Sequence, residues 1–218
     1  NMAEAAYKSI TPGSVVTITK VKRGKIFQQA PLLYDLTALQ KDCNIHYDLP
    51  VDKTLAITQS LYEKKLVSYP RTGSRYIPQD VMAHIPVLLE KITAMPEFRE
   101  YRRSLDLSAL NTRSVDAAKV TDHHAIIPTI EITKTDLSAV PEGEMKILSL
   151  VANRLLCATG KKQLYETVKA EFSCGGYSFH VSGKTVLQNG WKEFEAALKR
   201  TYRVEKTDED KEEKKLPE

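Results

Sequence analysis

Along this chain the spacing of apolar positions changes from about two to about 3.6 and then back to two. Residues 14–22 (SVVTITKVK) are rich in β-branched side chains, a strand pattern that ends at the basic triplet Arg23-Gly24-Lys25, read as a turn. Pro31 then stands where a first helical turn tolerates proline. Leu32, Leu36, Leu39 and Cys43 follow at helical spacing, with Asn44 as the expected C-cap. A second helix is predicted from about Asp52 to Leu66, with Leu55, Tyr62 and Leu66 along one stripe. Two helices, a short connection and an extended Ser68-Tyr69-Pro70 resemble a helix-turn-helix arrangement. Another helix starts near Pro78, and Pro86 is expected to split it.

Residues 104–130 show no clear period and read as loop with short strands. Pro141 to Thr159 gives the strongest helical signal, with Met145, Leu148, Ala152 and Leu155 on one face and Gly160 as the stop. Period two then returns. Val168, Ala170 and Phe172 alternate with other residues, Gly175-Gly176 supplies a two-residue turn, and Tyr177, Phe179 and Val181 alternate back. A third strand is expected at Lys184–Gln188, before a tight Asn189-Gly190 turn and Trp191. The pattern predicts an α+β protein. A mainly helical domain, residues 31–162, is inserted into a β domain made of 1–30 and 163–203, and 204–218 form a charged tail.

Composition narrows this modestly. The 218 residues are 42% hydrophobic and 28% charged, enough for one large or two modest cores. No apolar run of membrane-spanning length is present, and the N-terminus lacks the basic and apolar regions of a signal peptide. Three widely separated cysteines, Cys43, Cys157 and Cys174, form no CxxC pair, which argues against a disulfide framework or a zinc ribbon and for a reducing compartment. Net charge is +4, but the tail carries seven acids against four lysines, so the rest of the chain is +7. That balance is compatible with nucleic acid and equally with an ordinary surface.

Two segments carry candidate chemistry. In Leu66-Val67-Ser68-Tyr69-Pro70-Arg71-Thr72-Gly73-Ser74, Pro70 pushes Tyr69 into extended backbone. Residues i and i+2 of an extended run project to one side, so Tyr69 and Arg71 are expected to point together. A phenol beside a guanidinium suits phosphoryl transfer, the phenol as nucleophile and the arginine as phosphate clamp. A phenol ordinarily titrates near 10 (about three units above neutrality) and needs help to lose its proton. Taken alone, a Tyr-Pro-Arg turn is more often a structural element than a functional one. In Thr121-Asp122-His123-His124-Ala125-Ile126-Ile127-Pro128-Thr129, adjacent histidines on extended backbone face opposite ways, which suits a phosphate contact better than a shared metal ion. Asp122 could orient one of the rings.

The string from Leu61 to Thr72 (LYEKKLVSYPRT) resembles the active-site segment of type IA DNA topoisomerases. Asp122 to Thr129 (DHHAIIPT) and Lys184 to Trp191 (KTVLQNGW) are similar to two further signatures of that family, in the family's order. Tyr-Pro-Arg in place of an MRT-type string, together with HHAIIPT, points to the bacterial topoisomerase III branch. The resemblance spans roughly Pro31 to Phe194. It implies a winged-helix-like catalytic-tyrosine domain in a β arch, with Tyr69 as the nucleophile that forms a 5′-phosphotyrosyl link and Arg71 positioning the scissile phosphate. It implies DNA contacts at His123, Gln59 and Glu63. Gln59 and Glu63 also read simply as a solvated helix face. Many relatives carry Asp where Gly73 stands, so no acidic role is expected there.

The resemblance further implies a bacterial, cytoplasmic, nucleoid-associated enzyme that cuts, passes and rejoins single-stranded DNA without ATP. Its Mg²⁺ would be held by an acidic cluster in an N-terminal domain that this chain lacks, so the piece on its own is expected to be inactive. The only D-x-D here, Asp208-Glu209-Asp210, lies in the charged tail and makes a poor metal site. Two other readings stand beside this one: a non-catalytic helix-turn-helix DNA-binding module, and a metal-binding or scaffolding domain around His123-His124.

Overall fold

The computed structural model describes residues 2–201. The predicted tail, with Asp208-Glu209-Asp210, lies outside the described residues. The chain separates into two compact units, each made of distant segments. One contains the residues up to Gln28 and Gln163–Asn189. The other contains Gln29–Lys162 and, among the described residues, those from Gly190 to Thr201. The sequence pattern places 163–203 wholly with the strands. Its last part belongs to the helical unit instead, because Trp191, Phe194, Ala197 and Leu198 are buried in the helical core.

The first unit holds helix α1 (Met2–Ser9) and three long strands, β1 (Thr17–Gln28), β2 (Gln163–Cys174) and β3 (Tyr177–Gln188). They form an antiparallel sheet in the order β1-β2-β3. Two expectations are corrected here. Arg23-Gly24-Lys25 is not a turn: β1 runs through it, with Gly24 opposite Thr167, since β2 is long enough to pair along the whole strand. Lys184–Gln188 is the second half of β3 rather than a third strand after a break. The hairpin between β2 and β3 turns at Gly175 and Gly176, with φ of 55° and 80°, a conformation that favours glycine. Phe172 stacks on Phe179 across the pair, centroids 5.4 Å apart.

The second unit is helical: α2 (Leu36–Tyr47), α3 (Val51–Glu63), α4 (Gln79–Ala94), α5 (Glu142–Thr159) and α6 (Lys192–Thr201), with short 3-10 turns between them. Helix α2 starts later than its leucine spacing indicated, because Asp35 caps it, accepting a hydrogen bond from the Ala38 N–H at 2.6 Å. It ends at Asp48, in the left-handed region at φ 52°, and not at Asn44. The buried face of α3 is Thr54, Thr58 and Leu61, with Tyr62 outward. Leu66 lies beyond the helix. Pro86 does not split α4, whose sixteen residues stay helical because Met82, Ile85, Leu88, Leu89 and Ile92 anchor both sides of the proline in the core. Helix α5 runs as its pattern indicates to Gly160 and is buried nearly all round from Ile147 to Thr159.

Helix α6 was not legible as a helix, and Gly190 explains its placement. Its φ is +55°, and a Cβ there would lie 2.4 Å from the Lys162 carbonyl oxygen. This glycine-only approach, with the Trp191 N–H donating to the Lys161 carbonyl at 2.8 Å, turns the chain back onto α5. A half-buried polar cluster joins α2 and α5: the Tyr34 hydroxyl donates to Asp42 at 2.7 Å, and Arg154 donates to the same carboxylate while stacking over the Tyr34 ring. No described helix is long and apolar enough to cross a membrane.

Candidate active site

The site forms where α3 ends and the chain doubles back. Lys64 closes the helix, and Lys65 takes a left-handed conformation at φ 63°. The Leu66 N–H then donates to the Leu61 carbonyl at 2.9 Å and the Lys65 N–H to Tyr62 at 2.8 Å. Leu66 and Val67 drop into the core, so the following residues run out along the segment that carries the two histidines.

That pairing fixes the backbone on both sides of Tyr69. Val67 bridges to Pro128, the Ser68 N–H donates to the Ile127 carbonyl at 2.9 Å, and the Thr129 N–H donates to Leu66 at 3.0 Å. The Ser68 hydroxyl donates to the Ala125 carbonyl at 2.9 Å and accepts from the Ile127 N–H at 3.0 Å. Beyond Tyr69, Pro70 is buried. The Thr72 hydroxyl donates to the His123 carbonyl at 2.8 Å and accepts from the Ser74 N–H at 3.1 Å. The Thr72 carbonyl accepts from the Leu36 N–H at 3.1 Å, tying this stretch to the start of α2. Ser74 repeats the device, donating to the Lys119 carbonyl at 2.8 Å. Ser and Thr hydroxyls thus satisfy the polar backbone of an irregular segment that a sheet would otherwise satisfy.

The half-buried Tyr69 ring meets two others. Its centroid is 4.2 Å from that of His123, planes tilted by 41°, and 5.4 Å from that of Tyr62, planes at 81°. Arg71 is exposed and forms no hydrogen bond or ion pair among the described residues. Its five donors are thereby available to an anion. Gln59 and Glu63 share a hydrogen bond of 3.2 Å along α3, one turn apart.

Five residues were singled out from sequence as a site, and the structure links them unevenly. It brings Tyr69 and His123 into contact, places Arg71 two residues on in the same pinned segment, and leaves Gln59 and Glu63 paired to each other on the helix that leads into it. The two histidines do face different surroundings. His123 is exposed against Tyr69, while His124 is half-buried with Nδ1 2.7 Å from the Ala125 carbonyl oxygen. Among the described residues no group of three or more His, Cys, Asp or Glu is arranged to hold a metal ion. Mg²⁺ needs several oxygen ligands, and Glu63, the carboxylate that leads into the Tyr69 segment, is engaged by Gln59. No set of carboxylates stands together at the Tyr69 segment among the described residues to supply them. Sequence reasoning missed Ser68, Thr72 and Tyr62. The first two look like ordinary loop hydroxyls, and Tyr62 was read as part of a core stripe because nothing in Lys64-Lys65 announces a left-handed reversal.

A helix ending in a sharp reversal, a tyrosine packed beside a histidine, and an arginine two residues on define a class, and comparison with known proteins agrees with it. The chain belongs to the DNA topoisomerase family, whose model matches residues 1–218, and to its type IA class. Among characterised relatives it is similar to DNA topoisomerase 3 of Bacillus licheniformis, 37% identical over 204 residues that make up 93% of this chain and 27% of that protein. DNA topoisomerase 3 of Bacillus subtilis is 36% identical over 183 residues, 83% of this chain and 25% of that protein. That of Bacillus cereus is 40% identical, again over 83% of this chain and 24% of that protein. The chain therefore spans about a quarter of the length of the curated relatives it matches. In fold it is similar to full-length topoisomerase I from Thermotoga maritima, with a TM-score of 0.62 at 18% identity, over 98% of this chain and 34% of that one.

Proposed function

We propose that this chain carries the DNA-cleaving tyrosine of a type IA topoisomerase, and that Tyr69 is the nucleophile. The observation that carries this reading is the Tyr69 ring against His123, between hydrogen-bonded Ser68 and Thr72, with Arg71 unengaged two residues on. The Tyr69 phenolic oxygen attacks a backbone phosphorus of single-stranded DNA, losing its proton to solvent as the new O–P bond forms. The P–O3′ bond breaks, and the departing 3′ oxygen takes up a proton. Arg71 holds the non-bridging phosphate oxygens, where negative charge builds in the transition state. His123 donates to the same phosphate group or its neighbour. Rejoining runs the same step backwards, the 3′-hydroxyl attacking the phosphotyrosine. One phosphate ester is exchanged for another, so no ATP is required.

The helical unit, Gln29–Lys162 with the described residues from Gly190, serves as the catalytic-tyrosine domain, and the sheet unit as the arch that lets it move. Gln59 and Glu63 offer DNA contacts at the edge of the site. Mg²⁺, if the reaction uses it, is held by carboxylates other than those described here, so residues 1–218 alone are expected not to relax supercoiled DNA. A labelled oligonucleotide tests the reading in the full-length polypeptide that carries these residues, with Mg²⁺ present. A single strand labelled at its 3′ end should become covalently attached to protein, while one labelled at its 5′ end should release a free fragment. Tyr69→Phe should abolish the adduct. Attachment of the 5′-labelled fragment, or an adduct that survives Tyr69→Phe, would refute the assignment. DNA binding with no adduct in either protein would favour a non-catalytic binding module.

A further inference from the structure

We infer that Tyr62 is a positioning residue for Tyr69, holding the phenol at the angle from which it attacks phosphorus. The inference rests on the reading of Tyr69 as nucleophile and adds a residue to which that reading gives no role. The backbone on either side of Tyr69 is fixed, by Ser68 against Ala125 and Ile127 and by Thr72 against His123. What remains free is the side chain itself, two torsions that swing the phenolic oxygen through an arc. In-line attack tolerates little of that arc, because the reacting atoms must come within roughly 3–3.5 Å in alignment.

Two rings restrict it. One is His123, tilted against Tyr69 at 4.2 Å, but it is exposed and sits on an irregular segment. The other is Tyr62, nearly perpendicular to Tyr69 at 5.4 Å, in the edge-to-face arrangement that aromatic quadrupoles favour. Tyr62 is borne by the last turn of α3, the better anchored of the two supports. There Ser60 donates to Glu144 of α5 at 2.9 Å, Lys64 pairs with the same carboxylate at 2.6 Å, and Leu61 is fully buried. Tyr62 itself is 39% exposed, and its hydroxyl has no hydrogen bond among the described residues. An exposed ring contributes little to the core. What it offers is a flat, fixed surface beside the nucleophile, and the ring rather than the hydroxyl does this.

The test separates positioning from DNA binding. In the full-length polypeptide carrying these residues, single-turnover adduct formation is measured for Tyr62→Ala, Tyr62→Leu and Tyr62→Phe. DNA affinity is measured in parallel with each change combined with Tyr69→Phe, so that binding is read without cleavage. Tyr62→Ala should slow adduct formation roughly 10- to 100-fold, the range expected when a reacting group is misplaced by about an ångström. Tyr62→Leu should fall between, Tyr62→Phe should stay within about twofold of the parent, and affinity should change less than about twofold throughout. An unchanged cleavage rate in Tyr62→Ala and Tyr62→Leu would overturn the inference. So would a loss of affinity as large as the loss of rate, which would make Tyr62 a DNA contact. An adduct formed by Tyr69→Phe alone would instead sink the nucleophile assignment beneath it.

Discussion

At the scale of single residues, the site depends on small polar side chains more than on its charged ones. Thr72 is buried, and its hydroxyl both donates to the His123 carbonyl and accepts from the Ser74 N–H. It thus links the Tyr69 segment to the segment whose histidine touches Tyr69. Thr72→Val keeps the shape and removes both bonds, leaving the His123 carbonyl and the buried Ser74 amide to find new partners. We expect a loss of about 1–3 kcal/mol in chemical denaturation, with adduct formation reduced several-fold as His123 loosens. A variant of unchanged stability would show that water replaces both bonds. Tyr69 and His123 were readable from the sequence because the motifs around them are long and ordered. Thr72 and Ser68 were not, since a hydroxyl in a loop gives no sign of the carbonyl it will reach fifty residues away.

At the scale of elements, legibility differed from helix to helix: α5 runs to Gly160 as its pattern indicates, the buried face of α3 is not the stripe its spacing suggests, and α6 leaves no clear pattern. The α5 pattern from Met145 to Leu155 marks a helix that is buried nearly all round, whereas α2 starts where Asp35 accepts a hydrogen bond and not where leucine spacing begins. Helix α4 passes through Pro86, because burial of residues on both sides outweighs the lost hydrogen bond. Both α2 and α5 carry a cysteine in the core of the helical unit. Burial pushes the Cys43 thiol up to about 12, opposed by a hydrogen bond with Thr54. Burial likewise pushes the Cys157 thiol up to about 12, with Arg154 pulling the other way. A group whose folded value is raised contributes stability in full below its unfolded value, near 9 for a thiol, and loses it as pH rises towards the folded value. The helical unit should therefore lose stability progressively between about pH 9 and 12. Cys43→Ala combined with Cys157→Ala should flatten that slope while lowering stability at neutral pH. An identical slope in the double variant would assign the alkaline loss to other groups.

Over the whole molecule, the two units differ in how they are held together. The helical unit has a continuous core, with Leu39, Leu61, Leu89, Ile126, Ile147 and Leu155 among its fully buried members. In the sheet unit every residue of β1 is exposed, and most of β3 is exposed as well. Local opening follows burial, so amide hydrogen exchange should be slowest in α5 and faster by orders of magnitude in β1 and β3. Equal protection of strands and helices would imply a cover on the sheet that the described residues do not supply. The discontinuous make-up of both units was partly legible, because strand patterns stand near both ends with helical patterns between. The allocation of Trp191 to Arg200 was not, since that depends on how closely Gly190 approaches Lys162, which no periodicity records.

The central claim is that one particular oxygen, on Tyr69, forms the bond to DNA. It is tested most directly by trapping the adduct with a single-stranded oligonucleotide, digesting the DNA to a nucleotide stub and the protein to peptides, and mapping the stub by fragmentation mass spectrometry. The account predicts a 5′-phosphonucleotide on the phenolic oxygen of Tyr69, within the Leu66–Ser74 stretch. A stub on any other residue, Tyr62 and Tyr76 included, would contradict it.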